Sequence, residues 1–292
     1  RIFVKAGLEV LSARKRLGVA ALCEQCGLHP NVPVGADDIG YKLAPRINAA
    51  GRLKTAMISV ELLLAQNRND AQRASATLEQ LNAERKMMEA EFCPLLRSAC
   101  EEQRSQGKSI FLVLLNECHQ GILGILASRM VDLFDRPVIV FTKAGQGDEI
   151  FLKGSGRSID NVNLHRAIGA VSRHVLHFGG HPMAAGLALH PEKFNAFAEQ
   201  INAEVERMRQ GKERQSARVI DHRCVDPREL TRSVIDSLQL LQPCGEGNPE
   251  PVFLMRGERL LNVWKKNNHL RFNVQLGEQI YPGIGFNLAE SM

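Results

Sequence analysis

The chain has 292 residues, 44% of them hydrophobic and 24% charged, with 37 Lys and Arg against 32 Asp and Glu for a net charge of +5. That balance excludes a disordered polyelectrolyte. No apolar run reaches the roughly 18 to 20 residues that cross a bilayer, so the sequence reads as a soluble protein of two or three domains, each with its own core.

The start, Arg1-Ile2-Phe3-Val4-Lys5, carries no methionine and no secretory pattern, and reads as a cut. From Ala6 to about Cys26, the spacing of Leu8, Val10, Leu11, Leu17, Ala20 and Leu22 predicts two short helices. After the turn-rich stretch Pro30 to Gly40, Pro45-Arg46-Ile47-Asn48-Ala49-Ala50-Gly51-Arg52 reads as a loop entering a helix, and Val60 to Gln66 as another helix. Asn69-Asp70 offers a helix cap. Beyond it Leu78, Leu81, Met88, Phe92, Leu95 and Ala99 recur at three and four, which predicts one connector helix with Arg85 in the missing position. Pro94 is expected to kink or divide it near Glu91 to Cys93.

After Gly107 the texture changes. Ile110 to Leu115 reads as a buried strand, Gly121 to Phe134 as a helix and Pro137 to Thr142 as a second strand, a βαβ pattern. Phe151 to Ser158 and Leu187 to His190 add strands, with helices over Leu164 to Phe178 and Glu192 to Met208. Gln210 to Ala217 reads as a linker. Strand-like runs at Val252 to Met255, Leu260 to Val263, Leu270 to Leu276 and Ile280 to Phe286 then suggest a small β-barrel.

The seven cysteines, scattered from Cys23 to Cys244, fit reduced cytosolic thiols better than a disulfide framework, and the single pair Cys23 and Cys26 has no partner pair for zinc. The net positive charge favours an anionic partner. Four segments have the composition for one. Arg46, Asn48 and Arg52 place two guanidiniums and an amide among small residues, suiting phosphate or a solvated basic loop. His119-Gln120-Gly121 to Arg129 lies just beyond the Ile110 to Leu115 strand, where open α/β sheets gather ligands, although Gly121 and Gly124 also suit packing. Lys153-Gly154-Ser155-Gly156-Arg157-Ser158 joins flexible backbone to two hydroxyls and two cations. Gly179-Gly180-His181-Pro182-Met183-Ala184-Ala185-Gly186 leaves almost no bulk around one imidazole, as a ligand approach or a strand-to-helix turn. His174, His177 and His181 recur at three and four without a carboxylate or cysteine, and Gly179-Gly180 should end a helix between them, so no metal site is assigned.

In order, PRINAAGR at 45–52, HQGILGILASR at 119–129, GSGRS at 154–158, GGHPMAAG at 179–186 and the segment Gln242 to Phe253 resemble the RecJ family of single-strand-specific DNA exonucleases in the DHH phosphoesterase superfamily. The resemblance implies an α/β multidomain chain: the helical tail of a DHH domain at 1–68, a connector helix at 69–106, a DHHA1 domain with a mixed sheet at 107–212, and an OB-like β-barrel at 213–292. It implies 5′-to-3′ digestion of single-stranded DNA in repair and recombination, in the cytoplasm, with a single-strand-binding protein and a recombination helicase as partners.

It further implies that the ligands for Mn²⁺ or Mg²⁺ precede Arg1, leaving this chain inactive alone and without a tightly bound metal. By the same resemblance Arg46, Asn48 and Arg52 line the cleft, and Arg129, Arg157, Ser158 and His181 meet phosphates or a terminal nucleotide. His119, Ser155, Gly179 and Gly180 complete that substrate-binding set. Trp264, Lys265, Lys266 and Arg271 are candidates for a DNA groove, with Trp264 equally suited to a barrel core. Two other readings stand beside this one. The chain is then a non-catalytic nucleic-acid or nucleotide-binding module acting through a partner, or a relative that cleaves short oligonucleotides or cyclic dinucleotides, against which the Gln242 to Phe253 segment counts.

Overall fold

A helix of 38 residues joins two cores in the larger of the two units into which the chain divides, residues 7–215; the smaller comprises residues 1–6 and 216–292. The computed structural model describes residues 1–145, 150–210, 220–224, 229, 231–245, 247–255, 259–267, 269–276, 278–286 and 288–289. The linker expected at Gln210 to Ala217 lies, from residue 211 on, outside the described residues.

Helices α1 (Ile2–Ser12) and α2 (Leu17–Gln25) match the two expected at the start. A single turn, α3 (Ala36–Asp38), runs through a π-helical stretch, Ile39–Leu43, into α4 (Ala44–Leu53), and α5 (Met57–Leu64) follows. The PRINAAGR segment is therefore helix rather than loop. Pro45 lies at the second residue of α4, directly after the π-helical stretch. Leu22, Leu43, Ala49 and Leu62 pack with Leu78 and Leu81 of the long helix to form the first core.

That helix, α6 (Arg68–Ser105), starts at Asn67, whose side chain accepts the N–H of Asp70 at 2.9 Å. It continues through Pro94 without the expected division. A proline inside a helix costs about 3 kcal/mol. Here the buried Leu96 and Cys100, with Met88, Phe92, Cys93 and Ala99 of the same helix, pack into a second core that contains Phe111, Ile122 and Leu126, which offsets that cost from both sides of Pro94. Leu78 and Leu81 are buried as expected, but Leu96 is fully buried while Leu95 is 60% exposed, so beyond Arg85 the buried line lies one residue away from the expected one.

Strand β1 (Phe111–Leu114), a short 3₁₀ turn at Gln120–Ile122, α7 (Leu123–Phe134) and β2 (Val138–Ala144) form the expected βαβ unit, with β1 and β2 parallel. Next come β3 (Phe151–Arg157), α8 (Leu164–Ala170), β4 (His177–His181), β5 (Ala184–Leu189) and α9 (Phe194–Arg209). The helix expected to reach Phe178 stops at Ala170, and the Gly-Gly-His segment becomes one arm of a β4–β5 hairpin. The sheet order is β1-β2-β3-β5-β4, antiparallel from β2 onward. On one face Ile139, Phe141, Leu152 and Leu187 meet Leu164 of α8 and Phe197 of α9. On the other, Phe111, Val113, Val138 and Val140 lie under Leu123, Leu126 and Met130 of α7.

In the smaller unit β6 (His222–Cys224) pairs in parallel with β7 (Phe253–Met255), and α10 (Arg232–Leu238) lies between them in sequence. β8 (Arg259–Lys266), β9 (His269–Leu276) and β10 (Gln279–Gly285) make an antiparallel meander, with an irregular register between Leu261 and Trp264. The described strands do not close on themselves, so the barrel expectation is corrected to an open OB-type sheet.

Candidate nucleic-acid interface

Strand β2 reads Val-Ile-Val-Phe, apolar toward both faces, whereas β3 alternates Leu152-Lys153-Gly154-Ser155-Gly156-Arg157. Directly opposed residues of antiparallel strands share a face. The register therefore sets three rows on one face across β3, β5 and β4: Lys153-Ala188-His177, Ser155-Gly186-Gly179 and Arg157-Ala184-His181. Neighbouring strands lie about 4.8 Å apart and the rows about 6.8 Å apart. Helix α7 covers this face over β1 and β2 and reaches β3 at Gly124, where a Cβ would lie 2.6 Å from Arg157 Nη2 and 3.1 Å from Ser155 Oγ. Beyond β3, Gly186, His177, Gly179 and His181 are exposed.

Arg157 is the most constrained cation of this face. Its Nη1 donates to the Gly156 carbonyl at 2.8 Å and to Ser155 Oγ at 3.3 Å. Burial pushes its guanidinium pKa down, and Arg52 nearby pushes it further. The group still stays charged at neutral pH. Among the described residues no carboxylate pairs with it, which leaves a partly desolvated positive charge facing an open surface. Arg52 Nη1 donates to the Gly121 carbonyl at 3.2 Å. His119 Nδ1 accepts the Gly121 N–H at 3.1 Å, so the neutral ring carries its proton on Nε2. Lys153 Nζ donates to Gln120 Oε1 at 2.6 Å. These contacts border the rows on the side of α7 with donors.

The glycines divide by cause. Gly180 has φ 138°, and a Cβ there would run into the backbone of Ala184 and lie 2.7 Å from Ala185 Cα, so the fold requires glycine. A Cβ on Gly179 would meet nothing within 4 Å, and on Gly186 only the Gly154 carbonyl at 3.9 Å. Packing does not demand glycine at those two positions. Their smallness keeps the β5 and β4 positions of the middle row clear of side chains.

Other expected residues are not brought to these rows. Arg46, 14% exposed, pairs with Glu79 of α6 and donates to the Lys42 carbonyl at 2.8 Å. On α4 it lies about 120° round from Arg52, whereas the exposed Asn48 is four residues before Arg52 and on its side. Ser158 is buried and its hydroxyl donates to the Val162 carbonyl at 2.6 Å, so that side chain braces a turn instead of facing a ligand. Arg129 lies about 140° round α7 from Gly124 and pairs with Glu89 of α6. Glu89, 1% exposed, also holds Arg85. Sequence reasoning passed over this carboxylate; the signal was an acid on the apolar line four residues after Arg85.

In the smaller unit, Trp264, Arg271 and Ile284 stand in one row of the meander, with Lys266 opposite His269 two residues along on the same face. Trp264 is 46% exposed and so is not core. Lys265 pairs with Leu270 on the other face and leaves the expected groove set.

Residues 107–207 match the DHHA1 domain model and residues 222–292 the RecJ OB domain model. The single-stranded-DNA-specific exonuclease RecJ of Dickeya dadantii is 35% identical across 99% of this chain, and that of Escherichia coli 34% across the same share. This chain belongs to the RecJ family. It spans 51% of the length of those two RecJ relatives. The crystal structure of RecJ from Thermus thermophilus in complex with Mn²⁺ superposes with a TM-score of 0.79 at 31% identity, covering 96% of this chain and 40% of that one, and the Mg²⁺ complex with 0.77.

Among the described residues no group of three or more His, Cys, Asp or Glu is arranged to hold a metal ion. Among the same residues no helix is long and apolar enough to cross a membrane.

Proposed function

We propose that this chain is the strand-holding part of a RecJ-type 5′-to-3′ single-stranded-DNA exonuclease of repair and recombination. Its parts are the remnant of a DHH domain at 1–68, the connector at 69–106, the DHHA1 domain at 107–212 and the OB domain at 213–292. The observation that carries this reading is Arg157: a partly desolvated guanidinium with a second cation beside it and, among the described residues, no paired carboxylate, at the edge of an open face floored by small residues. An anion relieves that arrangement, and a phosphodiester supplies one along with an apolar sugar that suits the cleared floor.

Arg157, Arg52, Ser155, His119 and His181 bind the sugar-phosphate backbone; Gly179 and Gly180 give it room and shape, and Asn48 extends the margin along α4. Trp264 stacks a base while Arg271 and Lys266 meet phosphates on the OB domain. Mn²⁺ or Mg²⁺ belongs to the half of the family's length that this chain does not span, so the chain alone binds DNA without cutting it. The cytoplasm is its compartment, and a single-strand-binding protein and a recombination helicase are its partners. The OB domain match favours a strand over a cyclic dinucleotide as ligand.

Trp264 is the sole tryptophan, so its fluorescence reports on the OB domain directly. Titration with single-stranded and duplex oligonucleotides at two salt concentrations should give tighter single-strand binding that weakens with salt. Equal or absent binding to both overturns the reading. The module reading gains from the lack of a metal cluster among the described residues. Adding the remaining half of a RecJ protein separates the two: restored cleavage supports the exonuclease, and binding that stays without cleavage supports the module.

A further inference from the structure

We propose that Glu89 is a positioning residue of the single-strand interface: it fixes α7 where the first turn of that helix backs Arg157. This rests on the reading of the open face as that interface and names what holds it in shape. Glu89 is 1% exposed. One of its oxygens accepts from Arg85 of the same helix and the other from Arg129 of α7, so a single carboxylate joins α6 to α7. Arg85 alone would neutralise it. Arg129, its side chain 53% exposed, is the added cation, and the three groups together keep one positive charge.

Leu123, Leu126 and Met130 seat α7 on the sheet, but apolar contact is non-directional and fixes the depth of a helix more than its rotation. Charge-assisted hydrogen bonds to one buried carboxylate set that rotation. The setting matters on the other side of α7. A Cβ on Gly124 would lie 2.6 Å from Arg157 Nη2, and Gly121 interlocks with the Arg52 backbone. Arg129 follows Gly124 by five residues on one helix, about 7.5 Å along its axis. A rotation released at Arg129 therefore moves the wall behind Arg157. A buried ion pair adds little net stability over an apolar residue of like volume. Geometry is what the charge supplies here.

The test measures oligothymidylate binding to the full 292-residue chain by fluorescence anisotropy at two salt concentrations. Glu89→Gln removes a negative charge and frees Arg129, so net electrostatics alone would tighten binding. Positioning gives the opposite sign. Glu89→Gln and Arg129→Gln should each weaken binding about five- to tenfold, the double variant no further, and each should shift the Nε–H resonance of Arg157. Arg129→Gln, at a half-exposed residue, keeps the test open if Glu89→Gln does not fold. Ile201→Ala, in the core on the other face of the sheet, lowers the melting temperature but should leave that resonance in place and binding within about twofold. A loss of binding that Ile201→Ala reproduces at equal destabilisation overturns the proposal. So does tighter binding by Glu89→Gln with a steeper salt dependence, which means that Arg129 has joined the phosphate contacts. If Arg157→Gln weakens binding while Glu89→Gln and Arg129→Gln leave it unchanged, positioning is overturned and the interface stands. If Arg157→Gln has no effect, the interface reading fails and the role of Glu89 with it.

Discussion

β2 and β3 lie side by side in one sheet, yet β2 is sealed on both faces and β3 on one. The sealed strand needs apolar residues at every position, and Val138 to Phe141 supply them. The half-open strand alternates, and its inner positions, Gly154 and Gly156, are small because Phe141 and Leu164 fill the space a side chain would take. Stability is concentrated in the sealed half. The open half carries the surface proposed for recognition, where Gly179 and Gly186 have open space above them.

Substitutions can break this division. Phe141 is fully buried, with ring centroids 5.4 Å from Phe194 and 6.2 Å from Phe197. Phe141→Ala should cost about 3–5 kcal/mol in chemical denaturation. Glu89→Ala, which strands the half-buried Arg85 without its carboxylate, should cost about 3 kcal/mol by the same measurement. Gly154→Ala places a Cβ 2.5 Å from Phe141 Cε1 and should cost about 1–3 kcal/mol. Gly179→Ala meets open space and should change stability by less than about 0.5 kcal/mol, yet weaken single-strand binding measured by anisotropy. Equal stability losses at the two glycines would erase the distinction between the halves.

The same contrast sharpens with pH. Burial raises the thiol of Cys100 to about 12 and that of Cys118 to about 11, both in the core under α7. A folded pKa above the unfolded value stabilises the fold below the unfolded pKa and ceases to do so as pH rises through the folded one. Unfolding free energy should therefore hold steady with respect to these thiols up to about pH 9 and fall between there and about pH 12, in urea titrations at stepped pH.

The order of elements was legible because apolar period and glycine placement change sharply along the chain. β1, α7, β2 and β3 all emerged from runs whose neighbours in sequence determine their structure. β4 did not, because Leu164 to Phe178 has helical spacing and only pairing with β5 draws His177 and Phe178 into a strand. Likewise Pro94 signals a break that packing of the residues on both sides of it into the second core overrides. Of the site, the residue types that favour phosphate were visible in Arg157, His181 and the glycines. Their common face was not, since it depends on register between distant strands. Arg129 and Ser158 looked equivalent to Arg157 in sequence, and only the buried Glu89 and the Val162 carbonyl distinguish them.

Gly121 fits against the carbonyl of Arg52 with no room for a β-carbon, while the Arg52 guanidinium returns to the Gly121 carbonyl. Two backbones that interlock at such close range cannot slide past each other without first separating. The end of α4 and the turn before α7 thus behave as one joint. A pull on the end of α4 is thereby passed to the turn before α7 and to the sheet that α7 covers.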